Sequence, residues 1–222
     1  MRRVAIIGGG GHGREQLDLL AALNRRARSY EYVGFVVDPE YASQGSTIRD
    51  LPVLGGMEWI ASHRDDVEFI CAVGDSADRL AVAGRATAEG ARFLSLVHPS
   101  VEMSESVELG IGVILSAGVV LTSDIVLGDH VHINIGSTIS HDCRLADYVS
   151  IAPGGHLSGF VNLAEGTQLG TGTVVRDRRS IGEWSISGAG AVIADDIPAN
   201  TTVLGVPAKV IRTRPAGWQH SP

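Results

Sequence analysis

A strict six-residue repeat governs the second half of this 222-residue chain. Every sixth residue from 103 onward is aliphatic: Met103, Leu109, Leu115, Leu121, Leu127, Ile133, Ile139, Leu145, Ile151, Leu157, Leu163, Leu169, Val175 and Ile181. Four places after each comes a second row of mostly small or β-branched residues, from Val107 to Thr173. Neither an α-helix, with its period of 3.6, nor a single strand, with its period of 2, sustains such a pattern.

The repeat predicts a parallel β-helix, in which three short strands form one triangular coil of 18 residues. One aliphatic residue per face then points inward and stacks on its equivalent in the next coil, about 4.8 Å away. Residues 101 to 192 leave room for about five such coils. A charged run at 176–180 interrupts the pattern, which we expect to resume one residue out of phase at Ile186 and Val192. This run is interpreted as a solvated bulge or, alternatively, as a phosphate contact.

The first hundred residues alternate between strand and helix patterns and predict a small parallel sheet with helical crossovers. The expected strands are 4–7, 32–37, 52–54, 67–73 and 92–97; the expected helices are 14–23, 57–62 and one ending at 88. His98-Pro99-Ser100 separates the two patterns. We therefore predict an α/β Rossmann-like domain over 1–98 and an all-β domain with a polar tail over 99–222.

Composition excludes several classes of protein. The formal charge of −7 argues against a nucleic-acid partner. No apolar run approaches the roughly 18 residues that cross a bilayer, and the apolar stretch after Arg3 is too short for a signal peptide, so we expect no membrane partner and a cytoplasmic location. Two cysteines, Cys71 and Cys143, make neither a disulfide framework nor a cysteine-rich metal site.

The hexads, the stretch HINIGSTISHDC at 132–143 and the stretch GVPAKVIR at 205–212 together resemble one family. It comprises bacterial sugar acyltransferases that join a small Rossmann-like domain to a left-handed β-helix. The chain looks most like acetyl-CoA-dependent N-acetyltransferases of nucleotide-linked 4-amino-4,6-dideoxysugars, which belong to polysaccharide biosynthesis. Sialic-acid O-acetyltransferase-like proteins are close relatives. The left hand of the helix, a homotrimer and acetyl-CoA as co-substrate are implications of this resemblance.

The glycine loop at 8–13 follows the first strand, and Gly8, Gly10 and Gly13 fit G-x-G-x-x-G. Such glycines let backbone N–H groups approach a pyrophosphate at a helix N-terminus. An NAD site and a purely structural turn are the alternatives, although one hundred residues hold too few strands for a two-halved dinucleotide fold. The resemblance instead implies a nucleotide-sugar site formed by Gly10, Gly11, His12, Gly13, Asp38, Gly74, Asp75 and Arg79. For Arg79, a surface position on a helix is an equal alternative.

Acyl transfer to an amine needs a base, a donor to the developing oxyanion and alignment of both substrates. By resemblance, His141 is the general base and Asp142 its partner, because an imidazole titrates near neutral pH and a carboxylate beside it fixes its tautomer. Asn134 is a candidate site amide. The alternatives are an exposed turn for His141 and a turn or an internal ladder for Asn134. Cys143 lies in the inward small-residue row and is expected to be core.

The resemblance implies coenzyme contacts at Ser150, Gly159, Thr171 and Ala189. Many relatives carry a second histidine where this chain has Ser150, so a hydroxyl replaces a group that can carry charge. The coenzyme lies between neighbouring β-helices in family trimers, and a monomer would hold half a site. Lys209 and Arg212 are further candidates for phosphate contacts, each with the alternative of a solvated charge in the tail.

Three other functions remain open from the sequence. O-acetylation of a sialic-acid-type sugar is the nearest, and a non-catalytic, nucleotide-binding trimeric scaffold is a different class. His130, His132 and His141 also raise the possibility of a zinc site, which needs three convergent ligands. Since the third ligand would have to come from another subunit, we expect no metal.

Overall fold

The computed structural model describes residues 1–42 and 45–220, which form two compact units. Of the described residues, the first comprises 1–42, 45–74 and 78–99, and the second comprises 75–77 and 100–220. Ser43, Gln44, Ser221 and Pro222 lie outside the described residues.

The first unit is a five-stranded sheet with three helices. In chain order its elements are β1 (Arg2–Ile7), α1 (Gly11–Arg26), β2 (Tyr30–Val36), β3 (Thr47–Ile48), β4 (Leu51–Gly55), α2 (Glu58–His63), β5 (Glu68–Cys71) and α3 (Ser76–Ala88). A sixth short strand, β6 (Leu96–Val97), follows and is not part of this sheet. The sheet order is β3-β4-β2-β1-β5, with every pair parallel except the antiparallel edge pair β3–β4. The predicted parallel sheet is therefore confirmed, with an added antiparallel edge.

The core of this unit lies where α2 and the sheet bury apolar side chains, among them Ile7, Val36, Ile60 and Phe69. Two sequence predictions fail here. The helix expected from 14 begins three residues earlier, at Gly11. The strand expected over 92–97 consists of one isolated bridge, Phe93 to Phe69, and the two-residue β6, because Phe93 alone meets the edge of β5.

The second unit is a parallel β-helix of two-residue strands, as the hexads predict, and it is left-handed, as the family resemblance implies. The strands are β7 (Glu102–Met103), β8 (Glu108–Leu109), β9 (Ile114–Leu115), β10 (Val120–Leu121), β11 (Val126–Leu127), β12 (His132–Ile133), β13 (Thr138–Ile139), β14 (Arg144–Leu145), β15 (Ser150–Ile151), β16 (His156–Leu157), β17 (Asn162–Leu163), β18 (Gln168–Leu169), β19 (Val174–Val175), β20 (Ser180–Ile181), β21 (Ile186–Ser187) and β22 (Val192–Ile193). Each strand from β7 to β19 pairs in parallel with the strand 18 residues later, for example Leu121 with Ile139. An antiparallel hairpin, β23 (Thr201–Gly205) and β24 (Ala208–Thr213), and a 3₁₀ turn, Trp218–His220, follow.

The aliphatic row is buried as predicted from Leu115 to Ile181, whereas Met103, in the first rung, is 41 % exposed. The expected phase slip after residue 180 is wrong. Strands continue every six residues through β22, and Ser187 and Ile193 take the inward positions. Ser187 is tolerated inside because its hydroxyl lies 2.8 Å from Thr173 Oγ1 and accepts a hydrogen bond from Gly170 N. Because a polar residue takes the inward position at 187, the six-residue repeat of aliphatic residues is not visible there in the sequence.

The coils turn at three corners, and each corner repeats a left-handed backbone conformation every 18 residues. The glycine corner has glycine throughout: Gly118, Gly136, Gly154, Gly172 and Gly190. The His141 corner has none: Asp124, Asp142, Phe160 and Arg178. The mixed corner carries Gly112, His130, Tyr148, Gly166 and Trp184. Left-handed φ costs a residue other than glycine about 1–2 kcal/mol, so the side chains at the His141 corner are retained at an energetic cost.

Candidate functional site

The glycine loop opens onto a cavity of about 730 Å³ inside the first unit. The first N–H groups of any α-helix have no intrahelical acceptor. In α1 the N-cap is Gly10, and no side chain caps these groups. Gly10, Gly11 and His12 line the cavity. A helix N-terminus with glycine backbone at its mouth can receive the negative charge of a phosphate.

His12 lies at the base of this loop, where burial lowers the pKa of its imidazole. Glu15 partly opposes that shift, with its Oε2 3.1 Å from Nδ1 of His12. The ring is therefore neutral near pH 7 and offers one donor and one acceptor.

Asp38 lines the same cavity just after the end of β2. Both of its oxygens accept from Arg85 of α3, at 2.8 and 2.9 Å, and Arg85 also lines the cavity. The ion pair fixes the carboxylate in one orientation, since a guanidinium fork matches a carboxylate in plane. The sequence predicts Asp38 as a site residue but gives no sign of Arg85, because the two residues are 47 positions apart and no local pattern joins them.

The structure places Gly74 at this cavity but gives three other predicted residues different surroundings. A Cβ at Gly13 would collide with the carbonyl oxygen of Gly8, so Gly13 allows α1 to pack closely on the loop. Arg79 is fully buried, and its Nη1 donates to the carbonyl oxygens of Val73 and Gly74. Asp75 Oδ1 accepts from Ala77 N at 2.9 Å, at the start of α3.

Arg79 therefore supports the backbone of the loop after β5 and is not the surface helix residue of the alternative interpretation. Its two carbonyl acceptors follow β5 directly, at one edge of the cavity. A guanidinium in this position holds Gly74, which does line the cavity, in place.

In the second unit, His141 and Asp142 form the turn between β13 and β14. The Nδ1 atom of His141 lies 2.8 Å from Asp142 Oδ2, and half of each side chain's surface, 50 % and 43 %, is exposed. Asp142 has a left-handed φ of 59°, which aspartate tolerates better than most residues. With Nδ1 donating to the carboxylate, Nε2 is the nitrogen that accepts a proton from a substrate.

The next coil covers one side of this imidazole. Phe160 N donates to the carbonyl oxygen of His141 at 3.0 Å, and the two rings meet edge to face with centroids 5.2 Å apart. The guanidinium of Arg178, one further coil along, lies 4.4 Å from the centroid of the Phe160 ring. Phe160 and Arg178 are not among the predicted site residues, although the 18-residue period places both at the same corner as Asp142, one and two coils later.

Three of the four predicted coenzyme residues lie at two of the corners, and the fourth, Ser150, lies in a strand. Gly159 is buried beside the His141 ring. Thr171 and Ala189 are exposed and directly precede Gly172 and Gly190 of the glycine corner. Asn134 also belongs near the glycine corner, where its Oδ1 accepts from Ile135 N at 2.7 Å. Asn134 and His141 therefore lie at different corners of one coil, with strand β13 between them. Ser150 is half-buried and lies in strand β15.

Cys143 and Cys71 are both buried, and burial raises the pKa of each thiol to about 11. Both are therefore protonated near neutral pH and are poor nucleophiles. Among residues 1–42 and 45–220, no group of three or more His, Cys, Asp or Glu side chains could hold a metal ion. No helix in the same part of the chain is both long and apolar enough to span a membrane.

Comparison with known proteins matches both units. Residues 3–86 match the family described as the PglD N-terminal domain. A curated relative, UDP-N-acetylbacillosamine N-acetyltransferase of Bacillus subtilis (strain 168), is 34 % identical over 125 residues, covering 52 % of this chain. That match spans only 51 % of the curated relative's own length.

Solved structures match nearly the whole chain. The acetyltransferase domain of PglB from Neisseria gonorrhoeae FA1090, in complex with acetyl coenzyme A, is 36 % identical with a TM-score of 0.85, over 95 % of this chain and 99 % of that one. A histidine-to-asparagine mutant of perosamine N-acetyltransferase from Caulobacter crescentus, in complex with CoA and GDP-perosamine, is 32 % identical with a TM-score of 0.87, over 96 % and 98 %. WeeI from Acinetobacter baumannii AYE is 28 % identical with a TM-score of 0.85, over 95 % and 100 %.

Proposed function

Because the chain belongs to the family of sugar N-acetyltransferases that carry a PglD-type N-terminal domain, we propose that it acetylates the amino group of a nucleotide-linked 4-amino-4,6-dideoxysugar, with acetyl-CoA as donor. The observation that carries the proposal is the exposed His141 imidazole, held through Nδ1 by Asp142 at 2.8 Å. An imidazole held in this arrangement can accept a proton at Nε2 and act as a general base.

The nucleotide part of the substrate binds in the cavity of the first unit. Its pyrophosphate meets the N–H groups at the start of α1, and Asp38, fixed by Arg85, contacts the nucleoside. A relative with a TM-score of 0.87 was solved with GDP-perosamine, which supports a nucleotide sugar as the ligand class.

The reaction is then a direct acyl transfer. The amine nitrogen attacks the thioester carbonyl carbon, a C–N bond forms, and Nε2 of His141 takes the proton that the nitrogen loses. The tetrahedral intermediate collapses, the C–S bond breaks, and the departing CoA thiolate receives the proton from His141. Asp142 keeps Nδ1 protonated throughout and stabilises the imidazolium that forms.

We further propose that the active form is a homotrimer in which acetyl-CoA binds between neighbouring β-helices. The support is the division of candidate residues within one chain: His141 lies on one corner, and Thr171 and Ala189 lie beside the glycine corner. A neighbouring copy would bring the second corner to the first. The proposal includes a cytoplasmic location and places the chain in polysaccharide biosynthesis.

The shared site can be tested with two inactive variants. His141→Ala removes the base and Ala189→Arg blocks the coenzyme corner, so each homo-oligomer should be inactive. If the site is shared, co-refolded mixtures regain activity, since some interfaces combine the two intact corners. Mixtures that stay inactive, or a monomeric mass in light scattering, contradict the shared site.

The activity itself is tested by release of CoA thiol. GDP-, UDP- and dTDP-linked 4-amino sugars are offered with acetyl-CoA, beside the matching 4-hydroxy sugars. We expect thiol release with an amino sugar only, with the acetylated product confirmed by mass spectrometry. Turnover of hydroxyl acceptors alone would support O-acetylation of a sialic-acid-type sugar, and nucleotide binding with no turnover would support the scaffold.

A further inference from the structure

Glycine at position 159 is not required by its own backbone conformation. Its φ lies outside the left-handed range, unlike that of the neighbouring Phe160. A Cβ at 159 would instead lie 2.6 Å from Cε1 and 2.8 Å from Nε2 of His141. Contacts this short are not tolerated, so only glycine leaves the imidazole in its observed position.

Phe160 differs from Gly159 because its backbone conformation is unfavourable for its residue type. It adopts a left-handed φ of 60°, which is unfavourable for a bulky aromatic residue, and it remains 38 % exposed. Neither its backbone preference nor its burial explains the choice of residue. Its contacts do: the ring meets the His141 imidazole edge to face at 89°, and Arg178 lies over the same ring. Such aromatic and cation–π contacts are directional and limit rotation of the rings involved.

We propose that Gly159 and Phe160 are positioning residues that hold the His141 imidazole in the orientation needed for proton transfer, with Arg178 holding Phe160. The inference rests on the proposed function, and it assigns Gly159 a role other than the coenzyme contact that the family resemblance implies. Two contacts orient the ring, Asp142 at Nδ1 and Phe160 edge to face, and Gly159 leaves free the space that the Cε1–Nε2 edge needs. Backbone hydrogen bonds from Phe160 N and Arg178 N, both 3.0 Å, keep the coils in register.

The first test is Gly159→Ala, assayed with each substrate varied in turn. The added methyl group displaces the imidazole, and a misplacement of about 1 Å costs roughly 100-fold in kcat. KM for acetyl-CoA and for the amino sugar should stay within about twofold, because neither binding surface changes. A rise in KM for acetyl-CoA with kcat preserved would overturn the inference and return Gly159 to coenzyme binding.

The second test is Phe160→Gly, which folds readily because glycine accepts the left-handed backbone at this corner. We expect kcat to fall about 10-fold with the melting temperature retained, since the imidazole gains rotational freedom. Phe160→Tyr keeps the ring and should restore kcat. Tyr148→Gly is the matched control: it removes an aromatic left-handed residue from the mixed corner, where the ring stacks on His130 at 5.2 Å, and should leave kcat unchanged.

These outcomes separate the two proposals. A wild-type chain that never transfers acetyl groups fails the proposed function. A wild-type chain that is active, lowered by His141→Ala but unaffected by both Gly159→Ala and Phe160→Gly, fails only the positioning role. A crystal structure of Gly159→Ala gives the direct readout, in which the His141 ring should be displaced from the wild-type position.

Discussion

The glycine corner and the His141 corner share one backbone conformation and differ in almost everything else. Both repeat a left-handed residue every 18 positions, with φ between 57° and 71°. One uses glycine at all five of its positions, and a Cβ would meet open space at Gly136, Gly154, Gly172 and Gly190. The other uses no glycine and presents a carboxylate, an aromatic ring and a guanidinium around an exposed histidine. The first corner minimises strain, and the second accepts strain to display side chains.

This difference shows where function lies in a repetitive fold. The inward rows are set by packing and are nearly uniform, so they carry little information about activity. The corners face outward, and the energetic cost of a non-glycine residue there is offset only if its side chain has a use.

The largest expected effect is that of His141→Ala at the occupied corner. Removal of the general base should lower kcat by about 10²–10⁴-fold while substrate binding is largely kept. Tyr148→Gly at the mixed corner, which holds no candidate site residue, is the counterpart and should leave kcat within twofold. Steady-state kinetics of both variants decide the point, and normal turnover by His141→Ala would eliminate this residue as the base.

Asp142→Asn should have a smaller effect on the same corner. The amide keeps the size of the side chain but loses the charge that stabilises an imidazolium, and because this pair is about half exposed to water kcat should fall only about 10-fold, less than at a buried triad. Asp124→Asn, one coil earlier in the same column, is the control and should match the wild type. Equal kinetics for both variants would mean that the contact of 2.8 Å between Asp142 and His141 plays no part in proton transfer.

The cost of strain is measured on the glycine corner with Gly154→Ala. No atom lies within 4 Å of the position of its Cβ, so only backbone conformation is tested. We expect unfolding of the β-helix to become easier by about 1 kcal/mol. Hydrogen exchange of the β-helix amides reports this change separately from the first unit. An unchanged value would remove the energetic argument on which the comparison depends.

Asp124→Gly is the reverse substitution on the His141 corner. The side chain is exposed, and the hydrogen bond from the residue's backbone N to Ser106 Oγ is retained in the variant. Relief of the left-handed strain should stabilise the β-helix by about 0.5 kcal/mol after the higher entropy of glycine in the unfolded chain is subtracted. A clear loss of stability would indicate that Asp124 contributes more than its backbone.

The smallest expected effect concerns Cys143, which lies beside the His141 corner but points inward. Since burial raises the pKa of its thiol to about 11, alkylating reagents should not modify it in the folded protein at pH 8. Cys143→Ala should retain kcat, which distinguishes a base mechanism from covalent catalysis by this residue. Rapid alkylation with loss of activity would contradict both expectations.

The sequence predicts the β-helix well because its core is one-dimensional: each inward residue meets its equivalent 18 positions later, so periodicity alone specifies the contacts. The prediction fails where polar residues replace the aliphatic row, as at Ser187, since hydrogen bonding there substitutes for apolar packing. The same period would have placed Gly159 over His141, although it says nothing of why glycine is needed.

In the first unit the sequence predicts the sheet but not the contacts around the cavity. Its sheet follows from local patterns, but its cavity depends on pairs that are distant in sequence, such as Asp38 with Arg85. Gly13 and Arg79 fit a ligand-binding motif and instead pack against the backbone, because a motif does not indicate which glycine faces the ligand and which faces the protein. Only the three-dimensional structure shows which glycine lines the cavity and which packs against the protein.

A crystal structure of the His141→Asn variant with CoA and an unreacted nucleotide-linked 4-amino sugar tests the central claim most directly. We expect the sugar amine to lie at the His141 corner, with its nitrogen about 3 Å from the position occupied by Nε2 of His141 in the wild type. An amine bound against the glycine corner, or one beyond hydrogen-bond reach of that position in every copy of the chain, would contradict it.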